Sequence, residues 1–168
     1  MVIDYEYIFR EFNKQKIQYI VVGGLAVNLL GIPRITYDID ILARLNDQNL
    51  KKLLALLKKW GLRPRVPVDM MDFAVREKRE NWIKNKNMKA FNLRNEKLAI
   101  EEIDILIDTP VSFEEADKNK IIVKLGNLSI PVISENDLIK MKKNTGRDQD
   151  KADIESLRKK IKKYGQQK

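Results

Sequence analysis

The 168-residue chain contains no cysteine and no histidine. The first absence excludes disulfides, thiolate chemistry and cysteine-bound zinc. The second excludes serine–histidine catalysis, imidazole metal sites and the usual general base. Any chemistry must run on carboxylates, Lys, Arg, Tyr or hydroxyls, and hard oxygen ligands of that kind suit Mg²⁺ or Mn²⁺. No apolar run approaches the ~18 residues that would span a bilayer, so no membrane role is expected. The opening "MVIDYEYIFREFNKQ" carries early acids and no signal-peptide layout. A cytoplasmic location is the resulting expectation.

What is present is a globular composition, 43% hydrophobic and 34% charged, with a length that fits one domain over residues 1–168. Lys and Arg number 33 against 24 Asp and Glu, a net charge of +9. That excess suits a polyanionic partner such as RNA. It equally suits a Lys/Glu-rich solvated surface.

Along the chain, Tyr5, Ile8, Phe9 and Phe12 recur at helical spacing over 4–15, with Asp4 placed to cap. "IQYIVV" (17–22) reads as a short buried strand running into Gly23-Gly24, and "LAVNLLG" as a short helix closed by Gly31. "TYDIDILAR" (36–44) is a second strand. Asn46 caps an amphipathic helix that Gly61 ends. Residues 70–97 are compatible with a helix plus a strand or with mostly loop. "LAIEEIDILID" (98–108) reads as a strand, and 120–133 as a hairpin turning at Gly126-Asn127. Ser134 and Asp137 have the spacing of a capping box for a helix to about residue 143, and a last helix follows Gly146.

The acids stand out against this basic background. Side chains alternate along a strand, so Asp38 and Asp40 share one face and Ile39 and Ile41 the other. Two carboxylates ~6.6 Å apart along a strand can converge on ions a few ångströms apart. The same alternation puts Glu102, Asp104, Leu106 and Asp108 opposite Ile103, Ile105 and Ile107. If the strands are neighbours, Asp104 joins the pair, and a cation relieves the repulsion of three acids. Acids on the wet face of an antiparallel strand would be ordinary. Gly23-Gly24, where a strand enters a helix, suits either a phosphate cradle or a plain tight turn.

Taken together, "VVGGLAVNLLGIPRITYDIDIL" resembles the signature of the nucleotidyltransferase superfamily, whose fold polymerase beta and kanamycin nucleotidyltransferase share. That signature is Gly-Gly or Gly-Ser, a gap of about a dozen residues and Asp-x-Asp, with a third carboxylate on a later strand. The Gly-Gly form is most similar to abortive-infection-type toxins and related prokaryotic proteins. Many relatives carry Ser at the position of Gly24. The tail "SENDLIKMKKNTGRDQDKADIESL" resembles the closing motif of that branch through Lys142, Gly146, Arg147, Asp150 and Asp153.

The resemblance implies an α+β (α/β) fold, a mixed β-sheet flanked by helices. The catalytic core would be 17–133 and the C-terminal helical segment 134–168. It implies Asp38, Asp40 and Asp104 as catalytic and metal-binding residues for Mg²⁺ or Mn²⁺. It implies Gly23, Gly24, Arg34 and Lys142 as contacts to an NTP such as ATP, CTP or GTP. Arg34 has a rival role as the partner of a nearby acid. Arg147, Asp150 and Asp153 suit an ion-pair lattice holding the last helix. Trp82 suits base stacking or packing. The implied activity is metal-dependent transfer of NMP to an RNA hydroxyl, as on tRNA, or to a protein hydroxyl. The implied setting is a toxin with an antitoxin partner. The contrasting expectation is a non-catalytic basic module that binds RNA or a partner.

Overall fold

The computed structural model describes residues 3–165. Helix α1 (Tyr5–Lys14) starts where Asp4 accepts a hydrogen bond from the Tyr7 amide at 2.9 Å, and it buries Ile8, Phe9 and Phe12. Strand β1 (Tyr19–Val22) is buried throughout and passes directly into helix α2 (Gly23–Leu29). Strand β2 (Asp38–Ala43) follows. Helix α3 (Asp47–Lys59) is capped by Asn46, whose side chain accepts from the Asn49 amide at 2.8 Å. Gly61, at φ +77°, ends it.

The ambiguous middle resolves into a two-residue strand β3 (Arg63–Pro64), a 3-10 helix (Met70–Ala74), helix α4 (Arg76–Lys86) and strand β4 (Ala90–Arg94). Polar residues dominate α4, yet Trp82 is only 7% exposed. It stacks on Phe73 and Phe91, with centroids 6.5 and 5.9 Å away, so Trp82 packs in the core and is not a free stacking platform. Beside it, buried Arg79 donates to the carbonyls of Phe73 and Leu45 at 2.8 and 3.0 Å.

Strand β5 (Glu102–Leu106) is shorter than its apolar pattern. Its start is set by the turn after β4, where Asn95 donates its amide to the Glu101 carbonyl, and Asp108 turns away at φ +53°. Helix α5 (Phe113–Asn119), capped by Ser112, was not expected from the sequence. The hairpin forms as expected, with β6 (Ile121–Leu125) and β7 (Leu128–Val132) joined at Gly126-Asn127. Helix α6 (Glu135–Lys142) begins at Ser134, which accepts from the Asp137 amide, and α7 (Asp148–Gly165) closes the described chain.

Among the described residues, seven strands form one mixed sheet in the order β3-β4-β5-β2-β1-β7-β6. The β2–β5 and β1–β7 pairs are parallel and the others antiparallel. The expected α+β architecture, a mixed sheet flanked by helices, is therefore the observed one. What matters for the site is that β2 and β5 are direct neighbours with Asp40 opposite Asp104.

Candidate active site

The registers line up a row of side chains across four strands. Val22 at the end of β1 lies opposite Asp40, Asp40 opposite Asp104, and Asp104 opposite Asn92 on β4. One step along the strands, a second row pairs Asp38 with Glu102 and Glu102 with Arg94. In-register partners lie on the same face, so this part of the sheet carries five acidic or amide groups together. The opposite face is apolar: Ile39, Ile41, Ile103, Ile105, Phe91 and Leu93 are all buried. The alternation expected in both strands is thus what holds the acids on one side.

Burial and crowding work against ionisation here. Asp40 is pushed up to about 6, by burial first and then by the charges of Asp104 and Asp38, with Lys142 and Arg147 opposing. Asp104 is raised, chiefly by burial, although Asn92 pulls it back. Asp38, more exposed, is raised by partial burial and by Glu102 and Glu101, with Arg65 opposing. Arg65 holds Glu102 at 3.1 Å. Asp104 Oδ1 is buried and accepts no hydrogen bond. An ionised oxygen in that state is costly unless a cation or a proton meets it.

The glycine turn is fitted to this row. Gly23 has φ +65°, and a Cβ there would fall 2.0 Å from Asp40 Oδ2 and 2.9 Å from Asp40 Cβ. Both its conformation and its contact require glycine. A Cβ on Gly24 would meet Arg34 Nη1 at 2.1 Å and Thr36 Oγ1 at 2.9 Å. The backbone of Arg34 is held by Asn28, whose side chain accepts from its amide at 2.7 Å and donates to its carbonyl at 2.6 Å.

Arg34 also connects the turn to a second cluster. Its Nη1 lies 3.3 Å from Asp153 Oδ2. Buried Lys142 lies between two buried acids, 2.7 Å from Asp150 and 3.0 Å from Asp153. Arg147 and Thr145 each donate to Asp150 Oδ2 at 2.7 Å. Burial alone would raise Asp150; hydrogen bonds from Lys142, Thr145 and Arg147 instead bring it down to about 2. The lattice expected of Arg147, Asp150 and Asp153 is present, and it includes Lys142 and Arg34.

The seven residues that the resemblance implies for catalysis, metal and NTP therefore lie in two adjoining groups. Asp38, Asp40 and Asp104 form the acid rows, with Gly23 against Asp40. Gly24, Arg34 and Lys142 lead from the turn into the lattice. Among the described residues, no three acids converge closely enough to enclose an ion by themselves. Glu102, placed by alternation on the face of Asp104, completes the surroundings together with Asn92 and Arg65, which were not foreseen. The signal for Asn92 was present: it alternates with buried Phe91 and Leu93, and pairing "AFNLR" with "EIDIL" as a hairpin would have placed it beside Asp104.

This fold is that of the nucleotidyltransferases. Residues 6–161 match the family described as "Nucleotidyltransferase of unknown function (DUF6036)", and the chain belongs to that family. The lincosamide antibiotic adenylyltransferase LnuA, in its lincomycin-bound crystal structure, superposes with a TM-score of 0.61 at 21% identity, covering 94% of this chain and 97% of LnuA. A Thermotoga maritima protein assigned as a nucleotidyltransferase gives 0.55 at 19% identity, over 97% and 96% of the two chains. An antigenic nucleotidyltransferase-like protein of Paracoccidioides brasiliensis gives 0.52 at 15%, over 90% and 72%. At these identities the likeness is one of fold. A search of curated proteins returns no match.

Proposed function

We propose that the chain transfers a nucleoside monophosphate from an NTP to a hydroxyl, using Mg²⁺ or Mn²⁺ held by Asp38, Asp40 and Asp104. The observation that carries this reading is the in-register Asp40–Asp104 pair, both raised by burial, with Asp104 Oδ1 left without a donor. Carboxylate oxygens are the right donor set for a hard divalent ion. That the three acids do not enclose an ion alone suits a cation whose shell is completed by substrate phosphates and water. Such a cation supplies neutralisation of the acids, a hold on the triphosphate and a lowered pKa for the acceptor hydroxyl.

The protein's own groups have distinct parts. Gly23 and Gly24 would present backbone N–H groups to the β- and γ-phosphates, and with no Cβ on either the Asp40 carboxylate and the Arg34 guanidinium pack directly against that turn. Arg34, whose Nε is buried without a hydrogen-bond acceptor, and Lys142, which also pairs with Asp150 and Asp153, would supply positive charge to the leaving pyrophosphate. The acceptor oxygen bonds to the α-phosphorus and the bond from that phosphorus to the bridging oxygen breaks. Pyrophosphate departs, and Asp104 takes the hydroxyl proton. ATP is the first donor to try, since LnuA is an adenylyltransferase.

An RNA acceptor such as tRNA, or a protein hydroxyl, is supported by the resemblance to the toxin branch and by the net charge of +9. An antitoxin partner and a cytoplasmic setting rest on the same resemblance. No helix among the described residues is long and apolar enough to cross a membrane. The test is incubation with α-labelled ATP and Mn²⁺, following both pyrophosphate release and label transfer, for wild type and Asp40→Asn. Transfer by wild type and none by the variant is the expected result. Equal, cation-independent behaviour of the two proteins would leave a non-catalytic binding module as the better description.

A further inference from the structure

We infer that the hydroxyl acceptor is a small molecule with a largely apolar body, seated in the cavity beside β4, on the far side of Asp104 from the glycine turn. This rests on the nucleotidyl-transfer reading above and specifies its second substrate. The cavity measures about 530 Å³, within the range of roughly 300–1,000 Å³ usual for small-molecule sites. Val66, Pro67, Val68, Trp82, Met88 and Ala90 wall it, and it reaches Asn92.

Its origin lies in the shape of the sheet. Strand β3 has only two residues, Arg63 and Pro64, and Pro64 has no amide to give the ladder. After Arg65 donates its amide to the Asn92 carbonyl, the chain parts from β4, and the space between them stays open beneath Val66–Val68. The edge of the sheet thus becomes a pocket instead of a longer antiparallel ladder.

Its position follows from the register. Val22, Asp40, Asp104 and Asn92 belong to successive strands β1, β2, β5 and β4, and the glycine turn begins directly after Val22. At ~4.8 Å per strand, Asn92 lies ~10 Å across the sheet from the Asp40 backbone. Phosphates at the glycine turn occupy one end of the row and the cavity the other, with Asp104 between them. In-line displacement needs the nucleophile and the leaving group on opposite sides of the phosphorus. A hydroxyl entering past Asn92 meets that requirement. It bonds to the α-phosphorus, pyrophosphate leaves toward the turn, and the proton passes to Asp104. Asn92 is the polar group at the reacting end, able to orient the hydroxyl.

The lining argues against a polynucleotide in this place. Two cations border the cavity, Lys86 and Lys89, and Lys89 is already paired with Asp108. Phosphate backbones are held by many cations. Lys143, Arg158 and Lys162 gather elsewhere, in a groove between α6 and α7.

The experiment compares wild type, Ala90→Trp, which fills the cavity, and Val66→Arg, which puts a charge at its exposed mouth. Each is supplied with α-labelled ATP and Mn²⁺ and offered a series of alcohols from benzyl alcohol to 2-naphthylmethanol, or tRNA, or unfolded casein. Binding of ATP is measured separately by equilibrium dialysis. The expected result is labelled adenylyl esters of the bicyclic alcohols with wild type, falling at least tenfold in one or both variants while ATP binding holds. Label confined to tRNA or casein, or alcohol labelling indifferent to both variants, overturns the acceptor assignment and leaves nucleotidyl transfer standing. Wild type that neither binds ATP nor releases pyrophosphate overturns the underlying reading, and the acceptor assignment with it.

Discussion

The acid row and the lattice at the start of α7 are built from the same residue types and adjoin through Arg34 and Lys142. Burial acts on both, yet Asp40 rises to about 6 while Asp150 falls to about 2. The difference is the company each keeps. Asp150 receives donors from Lys142, Thr145 and Arg147. Asp40 faces Asp104 and Asp38, and Asp104 Oδ1 faces no donor. A buried acid met by donors, as Asp150 is, holds a structure together, whereas one that is not costs stability and is retained where a ligand completes it.

The comparison breaks most sharply at the metal acids. Asp38→Asn or Asp40→Asn is expected to lower nucleotidyl transfer by about a thousandfold or more, since several kcal/mol of transition-state stabilisation is lost. Initial rates with α-labelled ATP check this, and circular dichroism should show both variants folded.

The lattice should respond in the opposite manner. Lys142→Met leaves Asp150 and Asp153 buried with one cation fewer, and removing one partner of a buried pair typically costs about 3–5 kcal/mol. Urea unfolding with an unchanged m-value would show it. A loss under about 1 kcal/mol, the scale of an exposed ion pair, would mean that the cluster is better hydrated than its burial indicates.

Cation binding sharpens the contrast. Mn²⁺ at about a hundred times its Kd should stabilise wild type by about 2.7 kcal/mol, a Tm rise of roughly 5 °C or more for a chain of this size. The rise should vanish in Asp40→Asn and persist in Arg147→Ala. A flat Tm over millimolar Mn²⁺, with and without ATP, would count against the site.

A smaller effect is expected without cation. An acid whose folded pKa is raised contributes stability below its unfolded value, here near 3.8, and loses it as pH rises through about 6. Asp40→Asn should therefore stabilise the metal-free protein by about 1–3 kcal/mol at pH ~7.5, with the gain fading by pH ~4. Paired urea titrations at the two pH values measure it.

Least is expected of the exposed cations. Reversing Arg158, Lys159, Lys162 and Lys163 should flatten the salt dependence of any tRNA binding by about 0.7 for each phosphate no longer neutralised, without altering ATP binding. Filter binding across a salt series distinguishes this from a solvated face with no partner.

Much of this was legible in the chain. The caps at Asp4, Asn46 and Ser134, the turn at Gly126-Asn127 and the glycine stop at Gly61 are local chemistry, and each appears where its residues predict. The alternation of "DIDIL" and "EIDIL" assigned their faces correctly because side-chain direction in a strand depends on parity alone. Residues 70–97 stayed open between a helix plus a strand and a loop for a physical reason. Helix α4 buries Arg79 and Trp82 on a polar background, so it has no apolar stripe, and its stability comes from Phe73 and Phe91, which lie outside the helix.

By itself, then, the sequence determined which residue types were available for chemistry and which face of each strand they take. The lack of cysteine and histidine leaves carboxylates, and parity puts Asp38, Asp40 and Asp104 on polar faces. Only the tertiary structure decided that β5 lies beside β2 with Asp104 opposite Asp40, that Arg34 lies against Gly24 while reaching Asp153, and that β3 ends early enough to leave a cavity next to Asn92. Strand order and register are set by burying the apolar face of the whole sheet at once. That is a sum over residues far apart in the chain, and no local pattern records it.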